Sequence, residues 1–289
     1  MTFFIKEYSS KNIFKHGLIK TFYVIKEETI NGKNYLYLPI NKKSTNKYIK
    51  KIVKKISEKN IKNVVLSDEL FNIQELKKEL IKNNIKILNG SYLCKCIILD
   101  IIDYICSKTN TKIETLKVSI LINEANEVNK KIIIEIANKV KKINIVTSHS
   151  YKFKDIENYL YNEKGIIVNI SNKDKINLLN VHIIINIDLS EDEINEYNIP
   201  VNSIIINIDH KVKIKEKKFN GININGFNIT IPDEYKIDGF NNNFVYESMI
   251  YKKEYEQARK QIRKDNVKIE NLVGEKGIIN EKEFQNLYT

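Results

Sequence analysis

The chain has 289 residues, 42% of them hydrophobic, with a formal net charge of +12. That length is enough for one large domain or two smaller ones, each with a filled core. No window approaches the roughly 18 uninterrupted apolar residues of a membrane helix: the strongest, Leu93 to Cys106, is broken by Lys95, Asp100 and Asp103, so no membrane partner is expected.

The opening MTFFIKEYSS lacks the basic-then-apolar layout of a secretory signal, and a cytoplasmic protein is the expectation. Lysine, asparagine and isoleucine are over-used throughout, the pattern of an AT-rich genome. Of the 48 basic residues only Arg259 and Arg263 carry the guanidinium fork that bidentate contacts to phosphates and bases require. The lysine runs Lys50 to Lys55 and Lys211 to Lys218 read as solvated faces with few aromatics near them, and nucleic acid is not the expected partner.

Two β-rich runs, Phe22 to Ile25 and Tyr35 to Leu38, flank Asn31-Gly32 and predict an antiparallel hairpin, with Pro39 ending its second strand. Tyr48, Ile49, Ile52, Val53 and Ile56 then follow helical spacing. Asn63 to Leu66 is a short strand, Ile73 to Lys82 a helix and Ile85 to Leu88 a strand, which together make a βαβ unit. Asn89-Gly90 ends that strand, and Ser91 is the expected cap of a buried helix from Tyr92 to Ser107. Cys94, Cys96 and Cys106 lie in this helix without metal-site spacing and read as buried thiols.

A polar turn, Lys108 to Thr115, marks the expected boundary. Beyond it, strand Val118 to Ile122, helix Val128 to Lys141 and strand Asn144 to Thr147 open a second series. Helix Lys154 to Tyr161, strand Ile166 to Ile170, the turn Ser171 to Lys175, strand His182 to Ile187, helix Glu191 to Tyr197 and strand Ser203 to Ile208 continue it. Five isoleucine- and valine-rich runs alternating with helices predict a doubly wound parallel, Rossmann-like sheet. An edge strand over Ile222 to Ile231, a helix from Phe244 to Arg263 and a polar, poorly ordered or Ile278-Ile279-docked tail from Asp265 complete the chain. The expected class is α/β. A smaller α/β domain (1–107) precedes the Rossmann-like domain (108–235), and a C-terminal helix and tail (236–289) pack back.

The loop after the first strand of such a sheet normally uses glycine to bring backbone N–H groups close to a pyrophosphate at a helix N-terminus. Here it is Asn123 to Val128, without glycine, and Glu124 and Glu127 are expected to fill the phosphate position. If a cofactor binds, Asn123, Ala125 and Asn126 of that loop and Thr147, Ser148 and His149 after the second strand would contact it. Asn89 and two matching strand ends, Asn186-Ile-Asp188 and Asn207-Ile-Asp209, are candidates for a ligand cleft, because open α/β sheets bind at strand C-termini. Capping by Ser148 or Ser150 and an exposed His149 is the bland alternative. His16, His182 and His210 show no metal pairing, and no catalytic residue is identified.

Asn89-Gly-Ser-Tyr-Leu93 opening a helix, the strand-loop-helix-strand of Lys117 to Ser150, and Leu179 to Asn186 resemble the shikimate dehydrogenase group of amino-acid-dehydrogenase-like Rossmann proteins. The resemblance spans roughly residues 60 to 264 by order of elements. It implies a substrate-binding N-terminal domain, an NADP-binding C-terminal domain and a returning helix. The family's glycine-rich loop is absent, its Asn-Thr-Asp-Gly sequence is reduced to Leu88-Asn-Gly90, and no lysine can be matched to its catalytic one. The expectation is therefore a degenerate cofactor site with no cofactor, in a non-catalytic protein that binds a small molecule or a protein partner. The rivals are an active NAD(P)-dependent oxidoreductase and a basic nucleic-acid-binding protein; oligomeric state stays open.

Overall fold

The computed structural model describes residues 2–8, 24–171, 178, 180–285 and 287. Phe22 and Tyr23 of the expected first hairpin strand, His16, and most of the expected turn Ser171 to Lys175 lie outside the described residues. The chain forms two compact units, Met1–Leu93 with Ile231–Lys253, and Cys94–Thr230 with Glu254–Thr289.

The first unit is a sheet of β1 (Thr2–Glu7), β2 (Lys26–Ile30), β3 (Lys33–Leu38), β4 (Asn63–Leu66) and β5 (Lys86–Ile87) in the order β2-β3-β1-β4-β5. β1 lies at the centre, parallel to both neighbours, and was not anticipated as a strand. The hairpin falls where Asn31-Gly32 places it: both residues have positive φ, 50° and 73°, and Ile30 pairs with Lys33. Its first strand is the charged Lys26–Ile30 rather than the apolar run before it. The helix Asn46–Ser57 is capped by the Thr45 hydroxyl, which accepts from the Tyr48 N–H. It buries Ile49, Ile52, Val53 and Ile56 against the sheet core, each contributing about 1.5–3 kcal/mol of transfer free energy.

In the second unit β6 (Lys117–Leu121), β7 (Lys142–Val146), β8 (Asn169–Ser171), β9 (Ile183–Asn186), β10 (Ile204–Asn207) and β11 (Ile222–Thr230) run parallel in the order β8-β7-β6-β9-β10-β11. This is the doubly wound order, and the whole of Ile183–Asn186 and Ile204–Asn207 is buried, as a sheet covered on both faces requires. The tail is more ordered than expected: β12 (Lys268–Gly274) pairs antiparallel with β11, and β13 (Gly277–Ile278) pairs with β12. Of the docking dipeptide, Ile279 is buried while Ile278 is exposed.

Two long helices expected from apolar spacing are each two helices. Ser91–Cys96 and Ile98–Thr109 break at Ile97, whose ψ of 16° leaves the helical range. Ser91 lies inside the first of these and is not its cap. Asn242–Ile250 and Tyr255–Lys264 are separated by a turn, so the continuous stripe through Tyr251 and Tyr255 is divided. Arg259 is not a surface phosphate ligand: it is buried, paired with Glu135, which also accepts a 2.7 Å hydrogen bond from the Tyr255 hydroxyl.

Candidate functional site

Strand order places the topological switch point of the second unit between β6 and β9, whose chains leave in opposite directions. Register then decides which side chains meet there. Leu121 pairs with Asn186 and with Val146, and Asn186 pairs with Asn207, so Asn123, Ser148, Asp188 and Asp209 emerge together at the C-terminal edge.

The Asp188 carboxylate accepts from the Asn123 N–H through Oδ1 at 2.8 Å and from the Glu124 N–H through Oδ2 at 2.7 Å. These are backbone donors of the loop that would face a dinucleotide's phosphates, and a carboxylate on them is a charge-assisted pair. Burial raises the Asp188 pKa above the ordinary carboxylate value; the two N–H groups oppose the shift, Asp209 adds to it and Lys95 opposes it. The expected occupants were Glu124 and Glu127, and this is corrected: both side chains are exposed, and the charge comes from across the sheet.

Asn123 joins the first two loops. Its Oδ1 accepts from the Ser148 N–H at 2.9 Å and the Ser148 hydroxyl at 2.7 Å, with the Thr147 hydroxyl at 3.4 Å. Thr147 is buried and accepts from the His149 N–H at 3.0 Å, and His149 packs edge-on to Tyr151. Neither Ser148 nor Ser150 caps the following helices. Asn126 caps the helix Glu127–Ala137 by accepting from the Asn129 N–H, while the Asn129 amide donates to the Glu124 carbonyl and closes the loop on itself. Ala125 and Asn126 border an open hollow with Glu124 and Lys152.

The matching Asn-Ile-Asp strand ends divide their labour. Their asparagines form a buried ladder, in which the Asn186 amide donates to Asn207 Oδ1 at 3.0 Å and the Asn207 amide donates to Asn223 Oδ1 at 2.7 Å. Asp209 pairs with Lys95 at 2.9 Å, and both side chains are mostly shielded, 25% and 12% exposed. Lys95 was missed, although it is the lone charge in the apolar run Leu93 to Ile98 and that isolation was a usable signal. The constellation carries two carboxylates and one ammonium. A phosphate about 4 Å from the surplus carboxylate would be repelled by roughly 1 to 4 kcal/mol in solvated surroundings.

Asn89 belongs to the first unit, where it is exposed and its Oδ1 accepts from the Ser91 N–H. His182 Nδ1 accepts from the Lys117 N–H, and burial, followed by the charge of Lys117, lowers its pKa. The cysteines are buried and free. Among the described residues no cluster of histidine, cysteine and carboxylate side chains forms a metal site, and no helix is long and apolar enough to cross a membrane.

No protein-family model matches the chain, and no curated protein matches it by sequence. Among solved structures it is similar to L-tryptophan dehydrogenase from Nostoc punctiforme, at 13% identity and TM-score 0.40, over 90% of this chain and 77% of that one. Ornithine carbamoyltransferase from Pyrococcus furiosus is similar at 12% identity and TM-score 0.32, over 76% and 77%. Dipicolinate synthase from Bacillus halodurans follows at 14% and 0.33, over 63% and 60%. Likenesses at this level carry no argument about fold or activity. The strand order of the second unit alone makes it Rossmann-like.

Proposed function

We propose that this is a Rossmann-like protein with a degenerate dinucleotide site, which works by binding a ligand or partner rather than by hydride transfer. The observation that supports it is the Asp188 carboxylate on the Asn123 and Glu124 N–H groups. An internal anion satisfies those donors, and an incoming pyrophosphate would have to displace it and accept the neighbouring charge of Asp209. The shikimate dehydrogenase-like origin of the scaffold belongs to the same proposal, and under it the cofactor position is vacated chemistry on a retained sheet.

Calorimetric titration with NAD, NADH, NADP and NADPH tests the reading. The expected result is no heat of binding at micromolar nucleotide; micromolar affinity for any of the four would overturn it. The second reading, an NAD(P)-dependent oxidoreductase, draws on one observation, the shielded Lys95–Asp209 pair at the strand ends, a charged group of the kind that transfers protons. Nucleotide released from the purified protein by heating would favour it.

A further inference from the structure

The first unit carries a groove of about 500 Å³ between the helix Gln74–Lys82 and the edge strand β5, lined by Phe71, Lys77, Ile81, Ile85, Lys86 and Ile87 among others. Its volume is within the range of sites that hold a small molecule or a short peptide segment. The construction favours the peptide. Lys86 and Leu88 turn their N–H groups into the sheet, toward the Lys62 and Val64 carbonyls, each at 2.9 Å. Alternation along a strand then aims the Ile87 N–H and C=O outward, at the groove. β5 lies at the end of its sheet, so that side faces no further strand. The opposite wall is a helix that buries Leu76 and Leu80 inward yet leaves Ile81 64% exposed on the groove side.

Charge indicates the kind of strand that fits. Lys77 and Lys86 border the groove, their ammonium groups 4.5 Å from the ring centres of Phe71 and Tyr251, and the lining contains no carboxylate among the described residues. A second copy seated edge to edge would bring these lysines against their own counterparts, and the chain carries +12 overall. An acidic partner meets the opposite sign.

We propose that this groove docks an extended segment of a partner protein, alternating apolar and acidic side chains, which adds to β5 as a further strand beside the helix Gln74–Lys82. Backbone pairing with Ile87 sets its direction, apolar side chains cover Ile81 and Ile85, and carboxylates meet Lys77 and Lys86. The proposal extends the partner-binding reading but does not depend on it: nucleotide titration reads the second unit, and segment binding reads the first.

The test is fluorescence polarisation of the full-length protein with a fluorescein-labelled peptide of alternating valine and glutamate, about ten residues long to match a natural strand. Saturable binding is expected, weakening with added salt and absent for the valine-lysine counterpart. Ile81→Glu, a surface change that leaves the core intact, and the double change Lys77→Glu with Lys86→Glu should each lower affinity by about tenfold or more by opposing the carboxylates. Ile87→Pro, which deletes the outward N–H, should do the same with an unchanged melting curve. No binding of the acidic peptide, or equal binding by Ile81→Glu, would overturn the proposal. So would displacement of the peptide by octanoate, which reassigns the groove to a small apolar carboxylate, or a concentration-dependent dimer abolished by Ile81→Glu, which reassigns it to a second copy.

Discussion

Glu247 in the first unit and Asp188 in the second each present both carboxylate oxygens to two backbone N–H groups where a strand passes into a helix. Glu247 accepts from Gly90 and Tyr92, both at 2.7 Å, at the start of the helix Ser91–Cys96, and Asp188 accepts from Asn123 and Glu124 ahead of the helix Glu127–Ala137. Both partners come from far along the chain, 157 residues in one case and 65 in the other. Their surroundings differ. Glu247 is 1% exposed, while Asp188 is half-buried at the sheet edge. The same local chemistry is thus a sealed structural joint in one unit and a reachable plug in the other, because water can replace the carboxylate only in the second.

That difference can be broken most forcefully at Glu247. Glu247→Ala strands buried N–H groups where water cannot follow, and a loss of about 3 kcal/mol in unfolding free energy is expected, read by urea denaturation. Asp188→Ala leaves its donors open to solvent and should cost only about 1 kcal/mol in the same assay. Equal losses would erase the distinction between joint and plug. Asp188→Ala should also gain affinity for inorganic phosphate over the wild type, measured by calorimetry, since two N–H groups at a strand end are freed and a negative charge is removed.

A subtler effect concerns pH. Burial, opposed by the N–H groups of Gly90, Tyr92 and Leu93 and by Lys86, holds the Glu247 pKa above its ordinary value of 4.5. In the window above 4.5 the folded state therefore keeps more protons than the unfolded one, so this group's contribution is full below 4.5 and is lost as pH rises through the folded-state value. Glu247→Gln should remove that slope from a series of melts across the window, and a slope unchanged in the variant would contradict the assignment. The smallest expected effect is at Asn123: Asn123→Ala removes the acceptor for Ser148 and should cost about 1 kcal/mol, with faster amide exchange confined to Ser148 and His149.

How far these features could be read from the chain depended on their range. The strand and helix of Lys117–Leu121 and Glu127–Ala137 were legible because Val118, Ile120 and Leu121, then Ile132, Ile133 and Ile136, repeat at the spacings that one buried face imposes. The break at Ile97 was hidden, since no glycine or proline marks it and apolar residues continue on both sides. β12 was hidden because Lys268, Glu270 and Asn271 dilute its apolar positions to the point of resembling a tail. The site was the least legible part. Asp188 stood out as a strand-end acid, but that it would serve the Asn123 loop follows from β6 lying beside β9, which spacing along the chain does not encode. Lys95 reaches Asp209 across 114 residues for the same reason.

The amide signals of Asn123 and Glu124 in a two-dimensional NMR spectrum test the central claim most directly. If Asp188 holds these groups, both signals shift together on acidification, at a pH above the ordinary aspartate value, and stay in place when millimolar NADH or NADPH is added. Signals that ignore acidification and move with the nucleotide would mean that the phosphate position is open, and the account of Asp188 as its occupant would be wrong.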